Sequence, residues 1–219
     1  MKKKLNWLIT LGILVISFQV SAQEQQTSAE SSLRPKVGIK GGLNLTTLYS
    51  GDNVTDQHMK AGFNAGVFAK FPVTRGFSIQ PELLYSTKGA KTTYSNTVQG
   101  DGEYRFNMGY MELPLMAVVN LGSNFNIHAG GYAAYLLGAS VKDVNSHGDI
   151  TGATDLNADN FNRWDFGLAG GIGFDIQNFT IGARYNYGLS SLGKSGNLSG
   201  ELAKGSKNAG LSIYLGFGF

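Results

Sequence analysis

Residues 164–187 read WDFGLAGGIGFDIQNFTIGARYNY, and this stretch decides the fold. Large apolar residues occupy almost every second position from Trp164 to Phe174, with small or polar residues between them. After Gln177-Asn178 the same alternation continues to Tyr187. A period of two is the signature of a β-strand with one apolar face, and a two-residue break between two such runs predicts a tight β-hairpin.

The same alternation recurs along the chain after Pro35. It marks eight segments, at 37–45, 63–71, 77–85, 111–119, 125–135, 164–174, 179–187 and 209–219. The connections at 72–76, 121–124 and 177–178 are short, and those near 47–61, 89–105, 138–161 and 190–207 are long and polar. An even number of strands with short turns on one side and long loops on the other is typical of outer-membrane barrels. We therefore predict an all-β fold, an eight-stranded antiparallel transmembrane up-and-down β-barrel over residues 36–219, with both termini in the periplasm.

Two prolines fall inside predicted strands. Pro81 and Pro114 lack the N–H group that a strand paired on both sides needs. We expect a local β-bulge at each of them to accommodate the missing donor.

Aromatic residues collect at both ends of the predicted strands. A soluble β-sandwich also alternates, but it gives no reason for aromatic rings at both strand ends. Two aromatic girdles bounding a band of roughly 25 Å are expected of a membrane barrel. The predicted girdle residues are Phe71, Phe77, Tyr85, Phe125, Tyr135, Trp164, Phe179, Tyr187 and Phe219.

The first residues predict export. Lys2, Lys3 and Lys4 precede an apolar run and the small residues Ser21-Ala22, which is the order found in secretory signal peptides. We predict a cleaved signal peptide over residues 1–22 and a flexible polar leader over 23–35. The chain has 18 Lys and Arg against 15 Asp and Glu, and the signal segment removes three lysines, so 15 of each remain. A neutral mature chain gives no reason to expect nucleic-acid binding.

Four stretches together resemble the PorT-type outer-membrane β-barrel family, small porin-like barrels common in Bacteroidota. They are VGIKGGLN at 37–44, IQPELLYSTK at 79–88, YMELPLMAV at 110–118 and FTIGARYNYGL at 179–189. The resemblance implies an eight-stranded barrel whose last strand, with Phe217 and Phe219, is the signal for the barrel-assembly machinery. It also implies an association with protein secretion or cell-surface assembly, because the founding members of the family have that association.

Four charged residues are predicted to face the lumen. If the apolar side chains face lipid, Lys40, Glu82, Glu112 and Arg184 point inward near mid-height. Two bases and two acids in a confined interior should pair, because an isolated buried charge is costly. An ion or solute path remains an alternative, but a salt-bridged plug that holds the barrel in register is favoured.

The sequence gives little support for catalysis or metal binding. His58, His128 and His147 are the only histidines, cysteine is absent, and the 155–160 stretch (DLNADN) fails the pattern of a calcium-binding EF-hand. We predict no enzymatic activity, no cofactor and no metal. The expected function is that of a structural or accessory barrel in outer-membrane lipid, with secretion or surface-assembly proteins as partners. The alternative is a narrow porin-like channel for small solutes, and a loop-based enzyme or adhesin is the least favoured reading.

Overall fold

The alternating segments form antiparallel strands in a computed structural model, which describes residues 33–49, 57–96, 100–145, 150–156, 161–192 and 206–219. The predicted signal peptide and almost all of the predicted leader lie outside these ranges. The strands are β1 (Lys36–Tyr49), β2 (Gln57–Thr74), β3 (Phe77–Asn96), β4 (Gly100–Leu121), β5 (Phe125–Asn145), β6 (Ile150–Leu156), β7 (Trp164–Ile176), β8 (Phe179–Gly188) and β9 (Lys207–Gly218).

Eight of these strands close into a ring. Each strand pairs antiparallel with its neighbours in the order β1-β2-β3-β4-β5-β7-β8-β9. The ring closes where β1 pairs with β9, from Gly38 opposite Gly218 to Tyr49 opposite Lys207. The predicted eight-stranded antiparallel barrel is confirmed. The remaining strand, β6, is not part of the ring. It pairs with β5 from Ala139 to Val144, whereas β7 pairs with β5 from Phe125 to Tyr135.

Two of the expected long loops are largely β-structure. The ladder between β3 and β4 continues to Asn96 opposite Gly100, and β5 runs on to Asn145 and pairs with β6. The stretches near 89–105 and 138–161, which the sequence assigns to long polar connections, are therefore formed largely by extensions of the strands and by β6. The mixed polar sequences there lack one apolar face. Strands that extend beyond a membrane do not need such a face, and residues such as Thr93 and Val141 favour extended backbone.

The expected bulges at the prolines are also absent from the described strands. Pro81 pairs opposite Leu115, and the ladder resumes in the same register at Leu84 opposite Glu112. Pro114 sits opposite Tyr132 in an uninterrupted run of β4–β5 pairs. The barrel accommodates Pro81 by a local gap in the ladder and not by an extra residue. The register shifts lie elsewhere, for example where Gly109 precedes Tyr110 on β4.

The barrel is apolar outside and polar inside. Leu43, Leu168 and Leu215 on the outer wall are 57–70% exposed, whereas Glu82 and Asp165 are buried inside. This is the reverse of a water-soluble protein and fits a wall that faces hydrocarbon. Within the described part of the chain, no helix has the length and hydrophobicity to cross a membrane.

Glycines on the wall make room for large inward side chains. A Cβ on Gly167 would come within 2.5 Å of the Tyr132 ring, and one on Gly182 would come within 2.5 Å of the Tyr214 ring. The high glycine content, 31 of 219 residues, thus partly reflects an interior filled with aromatic rings.

Candidate functional site

The first charged layer of the interior is built around Glu82 of β3. Arg184 of β8 donates two hydrogen bonds to its carboxylate, each of 2.8 Å, and the Lys40 ammonium of β1 lies 3.1 Å from Oε1. Gln80 donates a further bond of 2.7 Å. Lys40 also sits 3.5 Å from the centre of the Tyr214 ring, a cation–π contact. One acid thus joins strands from opposite sides of the barrel.

A second charged layer lies nearer the long connections. Lys88 of β3 forms ion pairs with Glu112 of β4 and with Asp165 of β7, the latter at 3.5 Å. Asn208 of β9 donates a 2.9 Å hydrogen bond to the same Asp165 oxygen, and the Lys88 ammonium lies 4.5 Å from the centre of the Tyr132 ring. All of these side chains are buried.

Amides and hydroxyls fill the space between the two layers. Asn64 donates bonds of 2.6 Å to Asn44 and 2.9 Å to Ser212, and Asn44 donates a 3.1 Å bond to Ser86. Two cavities among these side chains measure about 10 Å³ each, and a third toward the short turns measures about 30 Å³. Cavities of this size hold at most one or two water molecules each.

An apolar cap covers the second charged layer. Phe161 and Leu192, from the segments that precede β7 and follow β8, pack with the inward-facing Met108, Leu136 and Ala139. The two segments are joined to each other because the Asn162 amide donates a 2.9 Å bond to the Leu192 carbonyl. We refer to Phe161, Leu192 and these three partners as the cap.

The short-turn end has its own polar cluster. Lys70 forms an ion pair of 3.2 Å with Asp175, which also accepts bonds from Asn126 and Thr180. His128 lies beside this cluster, buried, with Asn126 at 3.2 Å and the Tyr214 hydroxyl at 3.4 Å.

The described residues add no support for catalysis or metal binding by the remaining candidates, which are His58, His147 and the 155–160 stretch. His147 lies outside the described ranges, as does Asp159 of the 155–160 stretch, and His58 is described only in its backbone. Among the described residues, no group of three or more His, Cys, Asp or Glu side chains comes together in a way that could hold a metal ion.

Comparison with known proteins identifies the fold family. The model of the family described as outer membrane protein beta-barrel domain matches residues 21–193, which is most of the chain. The chain belongs to this outer-membrane β-barrel family. It is therefore an integral outer-membrane β-barrel protein. No curated protein sequence matches it.

Several solved structures resemble this family member. One is Ail, the attachment invasion locus protein of Yersinia pestis, in complex with the heparin analogue sucrose octasulfate. It is 14% identical to this chain, with a TM-score of 0.47, and the match covers 85% of this chain and 99% of Ail. Another is Neisserial surface protein A, with 13% identity, a TM-score of 0.49 and coverage of 84% and 97%. A third is OprG of Pseudomonas aeruginosa, with 12% identity, a TM-score of 0.40 and coverage of 84% and 95%.

The aromatic residues of this outer-membrane barrel lie at two levels on its wall. Near the short turns, Phe125 contacts Phe174 at 5.3 Å between ring centres, and Phe179 contacts Phe217 at 4.9 Å. Near the long connections, Tyr135 contacts Trp164 at 5.2 Å. The remaining predicted girdle residues are exposed or half-buried on the wall: Phe71, Phe77, Tyr85, Tyr187 and Phe219. Phe63, which packs on Tyr85, belongs to the same level as Tyr135 and Trp164.

The last strand carries the predicted assembly signal. Phe219 is 67% exposed and its amide donates a 2.9 Å bond to the Val37 carbonyl of β1. Phe217 contacts Phe219 at 5.9 Å between ring centres. The two rings therefore stand on the outer wall at the seam where the barrel closes.

The four predicted lumen charges belong to two separate layers. Lys40, Glu82 and Arg184 meet in the first layer, but Glu112 lies in the second layer with Lys88. Lys88 and Asp165 were not singled out. A usable signal existed, because Lys88 follows Glu82 at an even spacing along β3 and must face the same side. The cap gave no such signal, since its residues lie outside the alternating segments.

Proposed function

We propose that this barrel is a structural or accessory component of the outer membrane with a sealed interior, and that it acts through its outer surfaces. The observation that carries the proposal is the filling of the interior by two charged layers, an amide layer and an apolar cap. A solute would have to break buried ion pairs to pass, and removing one partner of such a pair costs about 3–5 kcal/mol. An eight-stranded barrel is narrow enough for side chains alone to fill it.

We also propose how the chain is exported and inserted into the outer membrane. Residues 1–22 act as a signal peptide that is cleaved after Ala22, and residues 23–35 form a flexible leader. Both termini then lie in the periplasm, since the chain enters and leaves the barrel at the short-turn end. Phe217 and Phe219 are recognised by the barrel-assembly machinery. The chain carries out no catalysis and needs no cofactor.

The partners are proposed from the PorT-type resemblance. Secretion or surface-assembly proteins are the expected class, in addition to the surrounding lipid. The extended β3–β4 and β5–β6 hairpins supply ordered surfaces beyond the aromatic level, which is what a partner on that side of the membrane would contact.

The first experiment measures conductance. The purified barrel, reconstituted in planar lipid bilayers beside a general porin as a positive control, is expected to give no steady ion current. A stable current that scales with the number of inserted barrels would contradict the sealed interior and establish the narrow channel instead.

A second experiment looks for partners. A tag placed within the leader keeps Phe219 free, and the protein is purified from native outer membranes in mild detergent. We expect stoichiometric companions by mass spectrometry, lost when the β5–β6 hairpin is shortened. A barrel recovered alone under these conditions would rule out the accessory role in a stable complex.

A further inference from the structure

The outer wall has a cleft of about 680 Å³ across β2 to β6, at and just beyond the level of Phe63 and Tyr85. The hollow forms where two glycines, Gly109 of β4 and Gly138 of β5, lie opposite each other next to a register shift. A Cβ on Gly138 would meet no atom within 4 Å. The missing side chain of Gly138 leaves a recess in the wall, whereas the space beside Gly109 is taken by the Tyr85 hydroxyl, 2.8 Å from where a Cβ would lie.

The cleft is apolar on one side and polar on the other. Phe63, Tyr85 and Leu137 line it, and each exposes more than a third of its surface as part of the apolar outer wall. Asn107 and Ser140, which pair directly across β4 and β5, supply polar groups. Such a split surface fits a molecule that is itself amphipathic and that reaches the cleft from the membrane.

A row of cations lies next to the polar side. Lys91 pairs opposite Arg105, and Arg105 pairs opposite Lys142. Arg105 and Lys142 are two residues beyond Asn107 and Ser140, so they share the same face of the sheet. Like charges directly opposite each other destabilise a sheet. A row of three across adjacent strands therefore needs negative charge close by, and Glu103 of β4 supplies part of it.

The charges around the cleft remain positive after their acidic neighbours are counted. Lys60, which also lines the cleft, interacts electrostatically with Lys91, Arg105 and Lys142. Glu103 forms ion pairs with Arg105 and, at 3.6 Å, with Lys91, and Asp155 lines the cleft. With Asp143, next to Lys142 on β5, these groups comprise four positive and three negative charges.

We propose that the cleft binds a membrane lipid whose phosphate headgroup carries a net negative charge. The acyl chain lies against Phe63 and Tyr85, where the cleft is continuous with the lipid-facing wall. The phosphate lies against Arg105 and Lys142, because guanidinium and ammonium groups are the preferred protein partners of phosphate. Lys60 adds charge from the inner side of the cleft.

The test compares two lipids that differ only in the headgroup. Refolded protein in a nonionic detergent is titrated with dioleoyl phosphatidic acid and with dioleoyl phosphatidylcholine, and binding is measured by native mass spectrometry. We expect phosphatidic acid to bind at least about tenfold more tightly, since each cation near a lipid phosphate strengthens binding about fivefold. The variant R105Q/K142Q should lose most of this preference. The variant G138F fills the cleft and should lose binding of both lipids.

Matched variants control for charge and bulk. K36Q/R75Q removes two exposed cations at the short-turn end, and G76F adds a ring at a turn glycine whose added Cβ would also meet no atom within 4 Å. Both should bind phosphatidic acid as the wild type does, and heat-modifiable migration in gels verifies that each variant folds. If R105Q/K142Q does not fold, the binding of the two lipids by G138F tests the proposal. Equal binding of the two lipids, unchanged binding by the cleft variants, or equally tight binding of inorganic phosphate alone would overturn the proposal.

Discussion

Glu82 is the residue on which the first charged layer depends. Its carboxylate accepts hydrogen bonds from Arg184, Lys40 and Gln80, and its side chain is fully buried. Two cations and one acid share this layer, so the acid is common to both ion pairs. Removing either cation leaves the other paired, whereas removing the acid leaves two buried cations facing each other.

Replacement of Arg184 by alanine is expected to destabilise the barrel without opening it. Glu82 would lose two 2.8 Å hydrogen bonds but keep Lys40 as its counter-ion, so we expect a loss of about 1.5–3 kcal/mol for each charge-assisted hydrogen bond removed. Urea unfolding in lipid vesicles measures the change, with Arg75→Ala in an exposed turn as the control. A free energy of unfolding equal to that of the wild type would contradict the stabilising role.

Alternation predicts which side chains face the interior, but it does not predict which of them meet. Glu82 is on β3 and Arg184 is on β8, and their contact depends on how far the strands are staggered around the ring. That stagger follows from the register of every ladder together and is not encoded in any one strand. This is why Glu112, expected in one group with Lys40, Glu82 and Arg184, lies instead beside Lys88.

Among the elements, the strands were predictable and the cap was not. The eight ring strands follow from a period of two, which a lipid-facing wall enforces along the whole span. Phe161 and Leu192 lie in irregular segments, where an apolar residue has no periodic neighbours to reveal its direction. Alternation does not predict the extensions of β3, β4 and β5 or the strand β6 either, because strands with water on both sides have no need of one apolar face.

The cap is expected to stabilise the barrel more than it controls access. F161A/L192A removes two buried apolar side chains and should lower the free energy of unfolding by about 3 kcal/mol or more. Conductance in planar bilayers should remain absent because both charged layers stay in place. F166A/L189A is the matched control, since these side chains are about half exposed on the outer wall. A current through the capless variant alone would mean that the cap is the barrier.

At the scale of the whole molecule, closure joins the first strand to the last. β1 pairs with β9 from Gly38 to Tyr49, and the Phe219 amide bonds to the Val37 carbonyl at the end of that seam. The first charged layer draws its side chains from β1, β3 and β8, so the seam between β1 and β9 holds one of its members, Lys40, in place.

Deleting Phe219 is expected to impair assembly in cells more than folding in a test tube. The ring is 67% exposed and the deletion removes one backbone hydrogen bond, to the Val37 carbonyl, so refolding into detergent micelles should change little. The amount of folded protein in the outer membrane should fall several-fold if the assembly machinery reads this residue. Phe71→Ala, an exposed ring at the same level, serves as the control. Equal outer-membrane levels of the deletion and the control would argue against an assembly signal.

The buried ion pairs also determine how the protein responds to ionic strength. Counterions screen charges over about 8 Å under physiological conditions, but they do so only where water carries them. Lys40, Glu82 and Arg184 expose at most 6% of their surface, whereas the side chains of Lys91 and Arg105 expose 29% and 37%. Added sodium chloride should leave the unfolding free energy nearly constant and weaken whatever binds the exposed cations. A single titration thus separates the charges that build the barrel from those that face its surroundings.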